Sequence, residues 1–285
     1  MTARFRIAGR PSHISPLLHA RKRGIELTTF RLLGPLRIGR TSPTEITSPS
    51  VRALLAALLL QRGEPISRGR LMMMLWNDPP ASAEANLRQY AARLRTCLGR
   101  TAPDQARRLR TIRGSGESGS YQLLVEPEQL DVARFFQLGA EARKAADDGR
   151  LHSAATLLES ALALWSGPSA GMNVSGSLYL QDQLRVLTEL KGDAEEFLLE
   201  TQLAYLPARK LVPTARKLVA EHPLRERSYA LLIRCLYAAG DSAEALGIYD
   251  RARSRLNQEL GLEPGPALQQ LFLGILRHDN ELIYT

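Results

Sequence analysis

The chain has 285 residues, enough for roughly two domains, and 44% of them are apolar, so a sizeable core can be buried. Its net charge of +9 is uneven: residues 1–125 carry 21 Lys+Arg against 7 Asp+Glu, and residues 126–285 carry 17 against 22. That asymmetry points to a polyanion partner for the first half and a different task for the second, while two cysteines without metal spacing, Cys97 and Cys235, exclude a disulfide framework.

Residues 1–24 contain Arg4, Arg6, Arg10, Arg21, Lys22 and Arg23 without an apolar signal segment. They are read either as a disordered basic arm or as sequence upstream of the true start. No apolar run is long enough to span a bilayer, so no membrane partner and a cytoplasmic location are expected. Over 26–38 a strand-like alternation broken by Gly34-Pro35 predicts a hairpin or short sheet. The stretch from Thr41 to Pro49 reads as loop. Ser50 is placed to cap a helix from Val51 to Gln61, which buries Leu54, Leu55, Leu58 and Leu59 and ends at Gly63. Ser67 is placed to cap a second helix, Arg68 to Trp76, with Leu71, Met72, Leu75 and Trp76 inward.

After Pro79-Pro80 comes the most informative stretch. Leu87, Ala91, Leu94 and Leu98 form one stripe of an amphipathic helix that Asp78 or Ser82 starts and Gly99 stops. Its other side carries Asn86, Arg88, Gln89, Arg93 and Arg95, with small Ala85 and Ala92 between them. Arg pairs with guanine O6 and N7, and Asn or Gln with adenine N6 and N7, so such a face suits the floor of a DNA major groove. Taken alone, it is equally a solvated helix face. Two strand patterns follow, Leu109 to Arg113 and Tyr121 to Val125, around a Gly/Ser-rich turn. A sheet, three helices and a β-hairpin in that order make a winged helix-turn-helix. The glycines Gly114, Gly116 and Gly119 spell a dinucleotide fingerprint, but a strand follows them where that site needs a helix N-terminus.

The second half, from Glu126-Pro127 onward, is nearly all helical. Helices are expected over 131–148, 151–165, 178–206, 208–221, 224–239, 242–261 and 266–277. Residues 224–256 have tetratricopeptide character, close to the repeat of about 34 residues that stacks helix pairs around a groove. His13, His19, His152, His222 and His278 are scattered, and no nucleophile or phosphate-loop pattern appears, so neither an enzyme nor a cofactor is expected. The fold class is mainly α with a small β component.

Specific motifs extend this reading. Leu32-Leu-Gly-Pro-Leu-Arg-Ile38, the run from Arg52, Leu75-Trp76, Pro79-Pro80-Ala-Ser-Ala83 and Leu94-Arg95 resemble the DNA-binding domain of Streptomyces antibiotic regulatory proteins, itself OmpR-like. Thr111-Ile-Arg-Gly-Ser-Gly116 is similar to the OmpR-type wing, with Glu117-Ser-Gly-Ser120 inserted before Tyr121. Leu158 to Pro168, Glu221 to Arg227 and Glu259 to Pro266 look like the bacterial transcriptional activation domain of the same regulators, in their short form. The resemblance implies a winged-helix domain over 25–125 and a helical activation domain over 126–285. It implies an activator of secondary-metabolite (antibiotic) genes that binds direct repeats in double-stranded DNA near the −35 promoter element. RNA polymerase with its sigma factor and self-association on DNA are the implied further partners. It also implies roles: Asn86, Gln89 and Arg93 facing bases, Arg88 and Arg95 facing phosphates or nearby base edges, and Arg113 reaching from the wing. Arg52 and Arg70 are candidates for phosphate or polymerase contact, and Trp76 for core packing with its indole N–H on a phosphate. A repressor of the same fold, and a tetratricopeptide adaptor with only generic polyanion binding, remain open alternatives.

Overall fold

The computed structural model describes residues 30–39, 46–101, 103–113 and 119–279. The basic arm over 1–24, the first part of the loop from Thr41 and the wing tip with most of its insertion lie outside them. A two-stranded antiparallel pair, β1 (Phe30–Arg31) and β2 (Arg37–Ile38), precedes helix α1 (Pro49–Leu60). A two-residue strand β3 (Ile66–Ser67) leads directly into α2 (Arg68–Leu75), and α3 (Ala83–Thr101) follows. Strands β4 (Leu109–Ile112) and β5 (Ser120–Leu123) pair antiparallel, and β5 lies between β4 and β3. Seven helices complete the chain: α4 (Asp131–Asp147), α5 (Leu151–Leu162), α6 (Leu178–Leu203), α7 (Ala208–Glu221), α8 (Glu226–Ala238), α9 (Ser242–Leu260) and α10 (Pro266–Arg277). Successive helices pack on one another, and α10 closes on α8 and α9.

The local chemistry explains most of these boundaries. Ser67 Oγ accepts from Arg70 N at 3.2 Å and Ser177 Oγ from Leu180 N at 3.2 Å, which caps α2 and α6. Pro49 opens α1, where its missing N–H costs nothing. Gly99 does not stop α3, as its identity suggested. The helix runs on to Thr101, whose Oγ1 donates to Leu98 O at 2.7 Å, and a 3-10 turn over Pro103–Arg108 packs back on it. An interior glycine costs only about 1 kcal/mol, and tertiary packing overrides that. Strand β3 escaped notice because two residues are too few for an alternation. In α2 Met74 rather than Met72 is fully buried, and Trp76 is half-buried.

The core does not divide where the element types change. One apolar cluster runs from Phe30 through the winged helix, α4 and the loop before α6 to Leu187. A second begins at Leu199 and ends at Ile275. The two motifs that resembled an activation domain meet in this second cluster: Glu226 Oε2 accepts from Gly265 N at 2.7 Å. Buried Glu196 accepts from Ser228 Oγ at 2.5 Å and faces Arg225, which also pairs with Asp193.

The halves are joined mainly by backbone hydrogen bonds. Asp131 Oδ2 accepts from Leu32 N at 2.8 Å and Leu33 N at 2.9 Å, and Oδ1 accepts from Val132 N at 2.8 Å. The segment ahead of α6 runs along the same strap. Ser166 N donates to Leu33 O (2.8 Å), Gly171 N to Leu32 O (2.9 Å) and Met172 N to Gly34 O (3.2 Å). Asn173 accepts from Leu36 N at 2.7 Å and donates to Leu36 O at 3.3 Å. Gly34 sits at φ +134°, and a Cβ there would strike Ser166 Oγ and lie 3.1 Å from Gly167 N.

Gly34→Ala is therefore expected to destabilise the whole first cluster by at least about 2 kcal/mol, read as one cooperative shift of the thermal melt. Burial pushes the Asp131 carboxyl from 3.8 up to about 6, against the opposing pull of its backbone N–H donors and Arg31. The folded protein thus holds this proton more tightly than the unfolded chain. The associated stability is present below about pH 4 and is lost as pH rises through about 6, on the order of 2–3 kcal/mol. Melts of the native chain and Asp131→Asn across pH 4–7 should converge or diverge with that sign. A difference independent of pH would contradict it.

Candidate nucleic-acid interface

Helix α3 is held with one face to the core by Ala83, Leu87, Ala91, Leu94 and Leu98, all buried. The opposite face is open, and its side chains are engaged to different degrees. Gln89 and Arg93 are exposed and make no hydrogen bond or ion pair among the described residues. Ala85 and Ala92 are exposed beside them and add no bulk. Arg88 is exposed and pairs loosely with Glu84 at 3.4 Å, a surface pair worth at most about 1 kcal/mol. Asn86 is half-buried and donates to Ser82 Oγ at 3.1 Å. Arg95 leans away from the open face: Nε donates to Leu109 O at 3.1 Å and Nη2 to Thr111 Oγ1 at 2.9 Å. It ties α3 to the first wing strand and sets the angle between them.

The remaining sequence-derived candidates are spread around this helix. Arg113 is exposed one residue beyond β4, at the base of the wing. Trp76 stacks on Tyr90 of α3, with ring centroids 5.9 Å apart and planes at 29°. Arg70 Nη2 donates to the Tyr179 hydroxyl at 3.1 Å, across the seam between α2 and α6. Arg52 is spent within the protein: Nε donates to Asn173 O at 2.9 Å, and Nη1 to Ile46 O at 2.6 Å and Thr47 O at 3.1 Å. It braces the strap region.

The structure also brings forward cations that the motif reading passed over. Arg110 is exposed on β4 and Arg100 on the last turn of α3. The alternation from buried Leu109 was a signal for Arg110. Arg68 lies where the wing returns, with its N–H on Gly119 O at 3.1 Å. A Cβ at Gly119 would sit 2.7 Å from Arg68 Nη2, so glycine is what lets the strand pass this guanidinium. Arg108 is the counterexample. It is buried, donates to Gln129 Oε1 at 2.6 Å, and desolvation lowers its pKa against the opposing charge of Glu126. In the helical half, Glu195, Glu221 and His222 place donor atoms within 4.8 Å of one another. Lys191 (3.8 Å from Glu195) and Lys217 (3.6 Å from Glu221) already balance those carboxylates. None of the described helices is long and apolar enough to cross a membrane.

A winged helix whose reading helix stands clear, fused to stacked helical pairs, defines a class of transcription regulator, and sequence comparison agrees. Residues 44–116 match the family described as transcriptional regulatory protein, C terminal, and residues 130–276 match the bacterial transcriptional activator domain. The chain belongs to the latter family and, with both domains present, to the Streptomyces antibiotic regulatory protein type of transcriptional regulator. It is 39% identical to the regulatory protein AfsR of Streptomyces griseus over 255 residues, 89% of this chain but 25% of that protein. It therefore spans about a quarter of the AfsR length. It is 32% identical to the transcriptional regulatory protein MoaR1 of Mycobacterium tuberculosis, covering 94% of this chain and 84% of MoaR1. The structure of Mycobacterium tuberculosis EmbR in complex with a low-affinity phosphopeptide superposes with a TM-score of 0.79 at 30% identity, over 88% of this chain and 65% of that one. These relatives are DNA-binding regulators, not enzymes.

The geometry separates two arginines that composition cannot. Arg95→Ala should lower stability by about 1–2 kcal/mol and free the wing from α3, whereas Arg93→Ala should leave the melting temperature within error. Calorimetry on both variants checks this, and equal effects would remove the distinction.

Proposed function

We propose that this protein activates a secondary-metabolite (antibiotic) gene cluster from the nucleoid, by binding direct repeats near the −35 promoter element and recruiting RNA polymerase through its sigma factor. The observation that carries the reading is the open face of α3, where Gln89 and Arg93 are unengaged and only Ala85 and Ala92 stand between them and a groove floor. In this reading Gln89, Arg93 and, after releasing Ser82, Asn86 contact base edges. Arg88, Arg113 and Arg70 contact phosphates, Arg95 sets the wing, and Trp76 is held by Tyr90 with its indole turned toward the backbone. Arg52 is left out because its guanidinium is bonded to protein carbonyls. Copies placed head to tail on direct repeats would present their helical halves side by side to the polymerase.

A footprint at about 150 mM salt, where non-specific binding is suppressed, tests the proposal. Protection of two direct repeats about one helical turn apart, overlapping or just upstream of −35, is the expected result. On that site Arg93→Ala should cost about 1–3 kcal/mol of discrimination against mismatched DNA. Arg113→Ala should weaken all sequences alike and reduce the salt slope by about one. Protection centred on an inverted repeat, or uniform protection, would overturn the direct-repeat reading.

A further inference from the structure

Helices α7, α8 and α9 enclose a groove of about 520 Å³ with an apolar floor of Val219, Leu232 and Ile248. Arg216, Arg251 and Arg255 line its rim, against one acid, Asp250. The half-chain around it has 17 Lys+Arg against 22 Asp+Glu, so this cationic rim runs against its surroundings. Its cations are lightly held. Arg216 pairs with Glu244 and Arg255 with Glu259, both at exposed positions, and Arg251 makes no hydrogen bond or ion pair among the described residues. Exposed pairs of this kind exchange readily for another carboxylate.

The groove ends at Gln258, and the opposite chemistry begins at the next residue. Glu259-Leu-Gly-Leu-Glu263 forms a ridge at the end of α9. Gly261 turns the chain in the left-handed region at φ +68°, and Leu262 N closes the turn on Leu256 O. In such helix ends the residue after the glycine commonly folds back on the helix. Here Leu262 stays 58% exposed and Leu260 49% exposed, with a glutamate on either side. An apolar groove edged by arginines thus adjoins an apolar ridge edged by glutamates.

We propose that groove and ridge are one self-complementary patch, through which two copies of this chain pair about a two-fold axis. Leu260 and Leu262 of each copy enter the groove of the other, and the flanking glutamates face Arg216 and Arg251 there. Because donor and acceptor surfaces adjoin, reciprocal insertion closes the contact on itself. The pairing does not depend on the DNA reading, but it has a consequence for it. The winged helix and the start of α6 share one core, so the pair presents its two reading helices in opposite directions. It is then a form kept off direct repeats, and tandem loading requires it to separate.

Sedimentation velocity on the full chain between about 1 and 100 µM tests this. A monomer–dimer equilibrium is expected, with Leu262→Asp and Arg251→Glu each weakening dimerisation at least tenfold. Unchanged melting temperatures would show that both variants fold. Affinity for DNA carrying a single half-site should be unaltered in both, which separates failure of the pairing from failure of the DNA reading. A wild-type monomer throughout, or a dimer indifferent to both substitutions, overturns the proposal.

Discussion

The fold depends on how the strap from Leu32 to Leu36 satisfies its backbone. Four residues in a row offer N–H and C=O groups to the interior, and no neighbouring strand is long enough to take them. Asp131, the first residue of α4, takes two of the N–H groups, and the segment from Ser166 to Asn173 takes most of the rest. A buried unpaired backbone group costs as much as a lost hydrogen bond, so each of these contacts is needed. The result is that partners from α4 and from the approach to α6 are built into the N-terminal sheet region. The helical half is thereby a wall of the winged helix's own core. This is why Phe30 and Leu187, so far apart in sequence, share one cluster.

The same constraint sorts the arginines. Residues 1–125 hold 20 of them, and counting them identifies a polyanion-binding half without saying which ones bind. The structure divides those it describes by what their guanidinium already touches. Arg108 is desolvated against Gln129, Arg52 braces the strap, and Arg95 fixes the wing to α3. Arg93, Arg110 and Arg113 are left exposed. An arginine with fixed carbonyl partners has its fork geometry already used, and an exposed one can still place two parallel donors on guanine or phosphate.

How far the sequence could be read follows from the range of the forces involved. The helix of the reading face was legible because burial of Leu87, Ala91, Leu94 and Leu98 is a local periodic signal. Helices α4 to α10 were legible for the same reason. The inner stripe also fixed which residues of α3 face outward. It did not show that Arg95 bends back to Leu109 and Thr111, because that contact depends on where the wing strand passes. Strand β3 is two residues long and exists only because β5 arrives beside it. The role of Asp131 was invisible for a similar reason: its partners lie 98 and 99 residues away, and an aspartate opening a helix has a sufficient local explanation as a favourable dipole charge. The motif around Gly34 was recognised by resemblance, and its physical cause, a positive φ pressed against Ser166, needed the fold.

A rigid junction between reader and helical half has a mechanical consequence. In a flexible two-domain regulator, the spacing of DNA sites is set by a linker and is loosely specified. Here the strap, Asp131 and Asn173 leave no such linker, and the connection from β5 to α4 is a 3-10 turn whose Gln129 is bonded to Arg108 and to Glu126 N. Any contact between helical halves therefore fixes the relative orientation of the two reading helices. A translational contact suits direct repeats and a two-fold contact suits inverted ones, and one rigid protomer cannot satisfy both through the same surface. The choice of repeat is thus made by the surface through which copies meet, at the far end of the molecule from the bases. Specificity for single bases resides in α3, while specificity for their arrangement resides in the helical half.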